Sequence, residues 1–342
     1  MKIRPFGLDI GATTMKTVWL TEDKDGFSLN AVATFPTPPR GMLSESPLDQ
    51  EEMAQSIRSL VKEAKITTPY VNIALPENQV YTKVIEMPYL SDKELSTAIY
   101  WEAEQYIPVP LAQITFDYKV LKKPQEQDGS MMQILLVGAP TILLDKYNKI
   151  IALAGLSAVS AETEILSAIR ALSTDTSSTA LIINIGALST AIAIVSHGTM
   201  VFAYVIPIGG AAITRAIASD FGLDTSQAEE YKRTYGYSSN ILEGKVGKST
   251  EPILSSMITE VKKALAFYSE KYKNEDPIVE IILCGGTAKL PGINLYFSKE
   301  AGIETIIANP WKMLKNQDIP KEIQDSAPDY TIAMGLAMKD YE

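Results

Sequence analysis

The sequence predicts an α/β protein built from two similar lobes, with a smaller α+β unit inserted between them. A pattern near the start, Leu-Asp-Ile-Gly-Ala-Thr-Thr at 8–14, recurs as Ile-Asn-Ile-Gly-Ala-Leu-Ser at 183–189. Each copy opens three short alternating apolar runs, which predict a meander of β-strands. The stretch 80–155 mixes helix-like and strand-like patterns in a different order. A repeat at about half the chain length indicates two like-built lobes that face each other.

The composition excludes several kinds of function. The chain has 342 residues, 46% of them hydrophobic, which is enough to bury two cores, and its one cysteine, Cys284, excludes an internal disulfide. A net charge of −10 disfavours general binding of nucleic acid. One histidine, His197, leaves little basis for a histidine metal site or a catalytic triad. Since no apolar run approaches the ~20 residues that span a bilayer, we expect a cytoplasmic protein without direct membrane insertion.

The first lobe is predicted from residues 1–79 together with 156–178. Asp49 is a candidate N-cap because apolar residues recur after it at helical spacing. The predicted elements of this part, in order, are strands at 3–10, 15–21 and 27–34 with a turn at Asp25-Gly26, a loop at 36–48, a helix from Asp49, strands at 71–75 and near 156–160, a helix at 162–172 and a loop at 173–179.

The inserted subdomain is predicted to span 80–155. Ser91 and Glu94 have the spacing of a capping box, which opens a helix that Pro108 ends. The other predicted elements are strands at 79–86, 113–121 and 131–138, a polar hairpin tip at 122–130 and a helix at 140–154.

The second lobe is predicted to span 179–342, with its own subdomain at about 220–277. Its predicted elements are strands at 180–186, 189–196, 199–206, 278–283 and 303–307, helices at 210–219, 226–235, 251–273, 292–301 and 330–339, and a loop rich in glycine, lysine and serine at 243–250.

The turn after the first strand has the chemistry of a phosphate site. A glycine, Gly11, lets backbone N–H groups approach an anion, and a carboxylate, Asp9, suits a hydrated Mg²⁺. Lys16 offers a positive charge for phosphate. Two plainer interpretations stay open at this point: a turn aspartate that caps its own backbone, and an ordinary surface lysine.

These two turns, with a third glycine turn at Gly285-Gly286, resemble the phosphate and adenosine segments of the actin-like ATPase superfamily, which includes actin, FtsA, MreB, heat-shock chaperones and sugar kinases. The resemblance covers essentially the whole chain. It implies a bilobal fold of two ribonuclease-H-like domains with ATP and Mg²⁺ in the central cleft. The stretch 209–236 is especially similar to FtsA, and 80–155 fits an FtsA-type subdomain.

The resemblance also implies roles for individual residues. Asp9 would hold Mg²⁺ through water and would be the metal-associated and catalytic carboxylate. The residues that would contact the nucleotide are Gly11, Ala12, Thr13, Thr14, Lys16, Gly186, Ala187, Gly209, Gly210, Glu229, Lys232, Gly285, Gly286 and Thr287. For Glu229 and Lys232, the alternative is a surface pair one helical turn apart.

Two further catalytic candidates come from the same resemblance. Asn184 stands where family members commonly carry aspartate, and an amide can accept a hydrogen bond from a metal-bound water but carries no charge. We therefore expect ATP binding to persist and hydrolysis to be slow. Glu162, chosen over Glu164 at the start of the connecting helix, is expected to orient water. Its alternative is an ordinary helix-start glutamate that the helix dipole stabilises.

Within the superfamily, the length, the inserted unit and the run Trp-Glu-Ala-Glu-Gln-Tyr-Ile-Pro at 101–108 resemble the PilM family of type IV pilus assembly. This resemblance implies an ATP-binding cytoplasmic platform of a pilus or type II secretion complex, peripheral to the inner membrane. It also implies a partner, the N-terminal cytoplasmic peptide of a PilN-like membrane protein. Since no FtsA-type amphipathic tail follows the last helix, attachment is expected through that partner.

Self-association and two other functions stay open. One is an FtsA-like filament-forming division protein. The other is a small-molecule kinase of the same superfamily, which Asn184 and the scarcity of histidine and cysteine disfavour.

Overall fold

The computed structural model describes residues 4–24, 26–125, 129–173, 177–237, 244–273, 275–315 and 319–339. The strands in these ranges are β1 (Phe6–Ile10), β2 (Thr14–Asp23), β3 (Gly26–Pro36), β4 (Tyr70–Leu75), β5 (Tyr81–Met87), β6 (Ile114–Lys122), β7 (Met132–Pro140), β8 (Ser157–Thr163), β9 (Thr179–Ile185), β10 (Thr190–Ser196), β11 (Thr199–Ile206), β12 (Ile278–Cys284) and β13 (Glu304–Ile307). The α-helices are α1 (Pro47–Glu63), α2 (Asp92–Tyr106), α3 (Thr141–Leu153), α4 (Glu164–Leu172), α5 (Gly210–Phe221), α6 (Thr225–Tyr235), α7 (Lys245–Lys271), α8 (Ile293–Ala301), α9 (Lys321–Gln324) and α10 (Thr331–Met338).

Two five-stranded sheets have the same topology. The first has the strand order β3-β2-β1-β4-β8, and the second has the order β11-β10-β9-β12-β13. In each sheet, an antiparallel meander is joined to two strands that run parallel to its first strand. The two related turns occupy the same place in both sheets, between the first and second strands. The predicted internal repeat is therefore confirmed.

The central strands are buried on both faces, which explains their nearly continuous apolar sequences. All residues of β1, and all residues of β10, are buried. Such runs are typical of strands that are covered by helices on both sides of a sheet. In the first lobe, α1 and α3 cover one face; in the second, α5, α7 and α8 do so.

The connecting helices α4 and α10 lie between the two sheets. Both contribute to one buried cluster with β9, β10 and β12, and α10 also packs on β1 and β2. An added Cβ at Gly335 would overlap the carbonyl oxygen of Ser167, and one at Gly7 would overlap that of Ala333. This close approach requires small residues at the crossing. Although α10 falls in the range predicted for the second lobe, it packs on the first.

The third sheet has the order β5-β7-β6 and is covered by α2, which Ser91 and Glu94 cap as predicted. The opposite face of this sheet packs on the second lobe through Leu135. The next helix, α3, instead packs into the first lobe through Leu143 and Ile150. We therefore propose that the inserted subdomain ends near residue 140 rather than 155.

Some element boundaries differ from the prediction. The helix α1 begins at Pro47, and Asp49 binds the hydroxyl of Ser44 instead of capping it. The helix α7 begins at Lys245, so 245–250 is not a loop; burial of Val246 and Thr250 extends the helix ahead of Pro252.

The strand β8 continues to Thr163 because it pairs with β4 up to Leu75, and α4 accordingly begins at Glu164. Parts of the predicted turn at 25–26, hairpin tip at 122–130 and loop at 173–179 lie outside the described residues. Among the helices of the described ranges, none combines the length and the apolar character needed to cross a bilayer.

A Gly335→Ala substitution is expected to lower the free energy of unfolding by about 3 kcal/mol, because α4 and α10 must separate to admit the methyl group. Urea denaturation measures the loss. Gly247→Ala is the matched control, since the nearest atom to its added Cβ lies 3.8 Å away in Tyr237. Alanine there is expected to be neutral or stabilising by up to about 1 kcal/mol. Equal effects of the two substitutions would contradict close packing at Gly335.

Candidate functional site

The first side of the cleft is the turn between β1 and β2. Asp9 lies on β1 opposite Lys16 on β2, and Ala12 and Thr13 are exposed at the tip. An added Cβ at Gly11 would lie 2.8 Å from the carbonyl oxygen of Thr14, so the turn leaves no room for a larger residue. This arrangement keeps the backbone of the tip accessible to a ligand.

Thr37, a residue that the sequence did not single out, supports this turn. Its hydroxyl donates to the carbonyl oxygen of Gly11 at 2.7 Å, and its backbone N–H donates to that of Thr13 at 3.0 Å. The loop after β3 thereby fixes the shape of the tip. A threonine just beyond a strand carries no signal in the sequence that distinguishes it from other loop threonines.

Asp9 is buried and lies near other charged groups. Burial raises the pKa of Asp9; the ammonium of Lys16 lowers it, and the carboxylate of Asp329 raises it further. A buried carboxylate beside a second one is costly unless a cation compensates for the charge. These surroundings fit a residue that faces a divalent cation when a ligand is bound.

Glu162 does not lie at the start of the connecting helix, where the sequence predicts it. Because β8 extends to Thr163, Glu162 lies on the strand, where its carboxylate binds Arg170 (Nη2–Oε2 3.0 Å) and Lys339 (Nζ–Oε2 3.0 Å). Although burial by itself raises the pKa of Glu162, Arg170 and Lys339 lower it below its usual value. This carboxylate joins β8, α4 and the end of α10 and is already fully paired.

Glu164, the first residue of α4, is the carboxylate that faces the predicted site. Asn184 donates from Nδ2 to Glu164 Oε2 at 3.3 Å. Burial raises the pKa of Glu164 well above its usual value, the charges of Asp9 and Glu77 raise it further, and Lys16 lowers it. Asp9, Glu164 and Asn184 thus come together from both lobes, and Glu164 replaces Glu162 as the candidate water-orienting group.

The second side of the cleft brings together three glycine-containing segments. Gly210 donates its N–H to the carbonyl oxygen of Gly186 at 2.9 Å, and the hydroxyl of Thr287 donates to the same oxygen at 3.2 Å. An added Cβ at Gly209 would lie 2.6 Å from the carbonyl oxygen of Ala187. The turn after β9, the start of α5 and the segment after β12 therefore meet at one point.

Lys232 and Glu229 form more than a surface pair. Lys232 is buried, and its Nζ lies 2.6 Å from Glu229 Oε2, 3.0 Å from Thr214 Oγ1 and 3.3 Å from the carbonyl oxygen of Gly210. Burial lowers the pKa of Lys232, and Glu229 offsets part of that shift. The pair therefore joins α6 to the first turn of α5, beside the glycine turns.

Gly285 requires glycine for two reasons. Its φ is +82°, a backbone conformation that L side chains rarely adopt, and an added Cβ would lie 2.5 Å from Asn184 Oδ1. Its N–H donates to the carbonyl oxygen of Pro328 at 2.9 Å. Gly286, next to it, is exposed and open to a ligand.

The donors of this site suit a nucleotide and its metal better than a metal alone. Among the described residues, no group of three or more histidine, cysteine, aspartate or glutamate side chains could hold a metal ion. The Oδ1 atom of Asp329 is nevertheless buried and has no hydrogen-bond partner within the described ranges. Buried carboxylate oxygens beside exposed turn amides fit a cation that arrives with phosphate groups and keeps several waters.

The chain matches the family of the type IV pilus assembly protein PilM over residues 7–341. It is similar to the solved PilM–PilN type IV pilus biogenesis complex, with a TM-score of 0.87, 28% identity and 100% of both chains covered. The cell division protein FtsA of Bacillus subtilis is 25% identical, with 84% of this chain and 74% of the relative covered. MreB5 of Spiroplasma citri bound to ADP has a TM-score of 0.54 at 15% identity, with 98% and 95% covered. The predicted actin-like fold is confirmed.

A Glu164→Gln substitution is expected to stabilise the nucleotide-free protein, and more so at pH 8 than at pH 5. The folded-state pKa of Glu164 lies above its usual value of 4.5, so the wild-type carboxyl loses stabilisation as the pH rises from there through the raised pKa. Glutamine cannot ionise and therefore escapes this loss. Urea denaturation at several pH values in EDTA measures the difference.

The exposed Glu230 on α6 provides the matched control. Glu230→Gln is expected to change the free energy of unfolding by only a small amount, because this side chain is exposed. A pH-independent effect of Glu164→Gln would contradict the electrostatic description of the cleft.

Proposed function

The chain belongs to the PilM family of type IV pilus assembly proteins, and we propose that it serves pilus assembly as a cytoplasmic platform that binds Mg·ATP and a membrane partner. The observation that supports the nucleotide site most directly is the convergence of Asp9, Asn184 and Gly285 from separate parts of the chain. In this proposal, ATP lies between the two glycine turns. The platform stays at the inner membrane through its partner.

Each side of the cleft would hold a different part of the nucleotide. The turn at 11–14 and Lys16 would bind the phosphates through backbone N–H groups, hydroxyls and charge, and Gly186 and Ala187 would bind them from the other lobe. Asp9 would hold Mg²⁺ through water. The ribose and the base would lie against the remaining wall of the cleft, which would be formed by Gly210, Lys232 and Gly286.

The same residues favour binding of ATP over its rapid hydrolysis. Phosphoryl transfer depends on positioned charges and an oriented water. Asn184 has no charge to offer, and its amide N–H₂ group is held by Glu164. Burial raises the pKa of Glu164, and the charges of Asp9 and Glu77 raise it further. We infer slow turnover, with ATP acting mainly as a ligand that changes the conformation.

A conformational change would act through α4 and α10. These helices lie between the sheets and touch at Gly335 and Ser167, so the lobes can turn about this crossing. ATP that contacts both glycine turns binds a closed cleft better than an open one, and only such a difference in affinity shifts the population.

The membrane partner that we propose is the N-terminal cytoplasmic peptide of a PilN-like protein. The similar solved structure is a complex of PilM with PilN. In this chain, β6 is an edge strand: among the described residues it pairs only with β7. The face of α2 beside that edge carries Tyr100 and Trp101, whose rings lie 5.7 Å apart, and Tyr100 lies 6.0 Å from Phe116 of β6.

This surface suits an extended peptide. A free strand edge offers backbone hydrogen bonds, and neighbouring aromatic side chains offer contacts for alternate residues of an added strand. Trp101 is 65% exposed, so its large apolar ring is available to a partner. The hydroxyl of Thr115 on β6 lies 3.2 Å from that of Thr141 on α3, so the surface borders the first lobe.

An Asn184→Asp substitution is expected to raise ATP turnover by about tenfold or more, because it adds a charge next to the metal and the attacking water. Affinity for Mg·ATP should change little, and the nucleotide-free variant should be less stable because two carboxylates then face each other. Single-turnover phosphate release and ATP titration measure these effects. Asn148→Asp, on the exposed face of α3, adds the same charge elsewhere and should leave turnover unchanged. An Asn184→Asp variant that binds Mg·ATP without faster turnover would contradict the proposal.

A Trp101→Ala substitution is expected to weaken peptide binding by about tenfold or more, since exposed aromatic anchors carry a large share of interface energy. Fluorescence anisotropy of a labelled N-terminal peptide of the cognate PilN-like protein measures the affinity. Leu295→Ala removes an equally exposed apolar side chain, 71% exposed, from α8 of the second lobe and should bind the peptide normally. Unchanged binding by Trp101→Ala would exclude this surface.

A further inference from the structure

Asp329 lies where the two lobes join, although nothing in the sequence singled it out. It ends the short turn 326–329, directly before Tyr330 and α10, and α10 packs on β1 of the first lobe. The turn itself is attached to the second lobe, because the carbonyl oxygen of Pro328 accepts the N–H of Gly285 at 2.9 Å. Asp329 is therefore held by both lobes at once.

The two carboxylate oxygens of Asp329 differ. Its Oδ2 lies 2.6 Å from Nζ of Lys289, in the segment that follows Gly285. Its Oδ1 is buried and has no hydrogen-bond partner within the described ranges. A buried carboxylate oxygen without a partner is unfavourable, because it has lost its hydrogen bonds to water and gained none in the protein. An unpaired oxygen atom of this kind is available to bind a ligand.

Asp329 also lies beside the predicted nucleotide site, since an added Cβ at Gly286 would lie 3.9 Å from its Oδ1 atom. Its negative charge contributes to the raised pKa of Asp9, so the two groups interact across the junction of the lobes. The position expected to carry a second carboxylate, 184, is an amide here, and that amide binds Glu164. Without Asp329, the proposed site would have Asp9 as the one carboxylate assigned to the metal among the described residues.

We propose that Asp329 is a second metal-holding carboxylate, which joins Asp9 in binding the divalent cation that accompanies the nucleotide and supplies the charge that Asn184 lacks. This proposal rests on the nucleotide site proposed above. Asp329 Oδ1 would take part directly or through one metal-bound water. Lys289 would keep Oδ2 and thereby hold the carboxylate in place.

The location of Asp329 has a consequence for closure of the cleft. Without a cation, Asp9 and Asp329 repel each other across the junction between β1 and the turn that leads into α10. A divalent cation replaces that repulsion with attraction to both carboxylates. The metal, and not only the phosphates, would then favour the closed arrangement.

Manganese provides a probe with a direct readout, because free and bound Mn²⁺ differ in their electron paramagnetic resonance signals. The protein is saturated with ATP and titrated with Mn²⁺, and nucleotide affinity is measured separately in EDTA. Asp329→Asn is expected to weaken Mn²⁺ binding by about tenfold, in the range seen when groups that support a metal are removed. Its affinity for ATP in EDTA should be unchanged or higher, since a negative charge has been removed from the phosphate site.

Two further variants separate the possible causes of weaker Mn²⁺ binding. Asp325→Asn removes the same charge from an exposed position in the same segment and should bind Mn²⁺ as the wild type does. Lys289→Met removes the partner of Oδ2 but keeps the carboxylate, so most of the Mn²⁺ affinity should remain.

Three outcomes would overturn the proposal. Unchanged Mn²⁺ affinity in Asp329→Asn excludes a role in metal binding. An equal loss of ATP affinity with and without metal shows that Asp329 only positions the segment at 285–289. If the wild type binds no ATP at all, the proposed nucleotide function fails, and this inference fails with it.

A crystal structure of the wild type with Mn·ATP keeps the test decisive even if Asp329→Asn does not fold. The anomalous peak of manganese should lie within about 2.1 Å of Asp329 Oδ1 for a direct bond, or about 4 Å for contact through one water. A metal farther away contradicts the proposal.

Discussion

The crossing of α4 and α10 is the constraint on which the rest of the structure depends. Two sheets of identical topology share the space between them with these two helices, and the helices approach each other at Gly335 and Ser167. Interiors are packed as tightly as organic crystals, so a single added methyl group at the contact would push the sheets apart. The paired carboxylate of Glu162 ties the ends of both helices to β8. Because this centre is fixed, the turns at the carboxyl ends of the strands can face each other across a defined gap, which is where ligands commonly bind in α/β proteins.

The electrostatics of the cleft follow from this arrangement. Asp9, Glu77 and Glu164 interact in partly or wholly buried surroundings, and Lys16 is the cation whose charge acts on both Asp9 and Glu164. The nucleotide-free cleft therefore holds more negative charge than it can stabilise well. A ligand that brings a divalent cation corrects the imbalance, whereas bare polyphosphate would worsen it. In the nucleotide site that we propose, selectivity for the metal complex would thus arise from the charges of the cleft itself, before any contact with the base is considered.

The repeat, the order of elements and the three glycine turns could be predicted from the sequence because each has a local signature. Asp9 and Gly285 stand beside strands whose apolar patterns are plain. The choice between Glu162 and Glu164 could not be made locally, since it depends on how far β8 pairs with β4, and that pairing joins residues far apart in the chain. The start of α7 depended in the same way on burial of Val246 in a distant core. Asp329 and Thr37 reach the site only through tertiary contacts, so no spacing in the sequence points to them.

The packing of α10 on the first lobe affects how the chain folds during synthesis. Asn72 of β4 donates its side-chain N–H to the carbonyl oxygen of Leu336 at 3.0 Å, across 264 residues of sequence. At the usual rate of about 5–20 residues per second, the ribosome needs on the order of tens of seconds to make the intervening chain. From the time β8 completes the first sheet until α10 is made, the inner face of this sheet lacks that helix, and its apolar strands stay open to other chains. A newly made first lobe is therefore expected to bind chaperones that shield apolar surface. For the same reason, the protein should refold from denaturant far more slowly than a domain with local contacts alone.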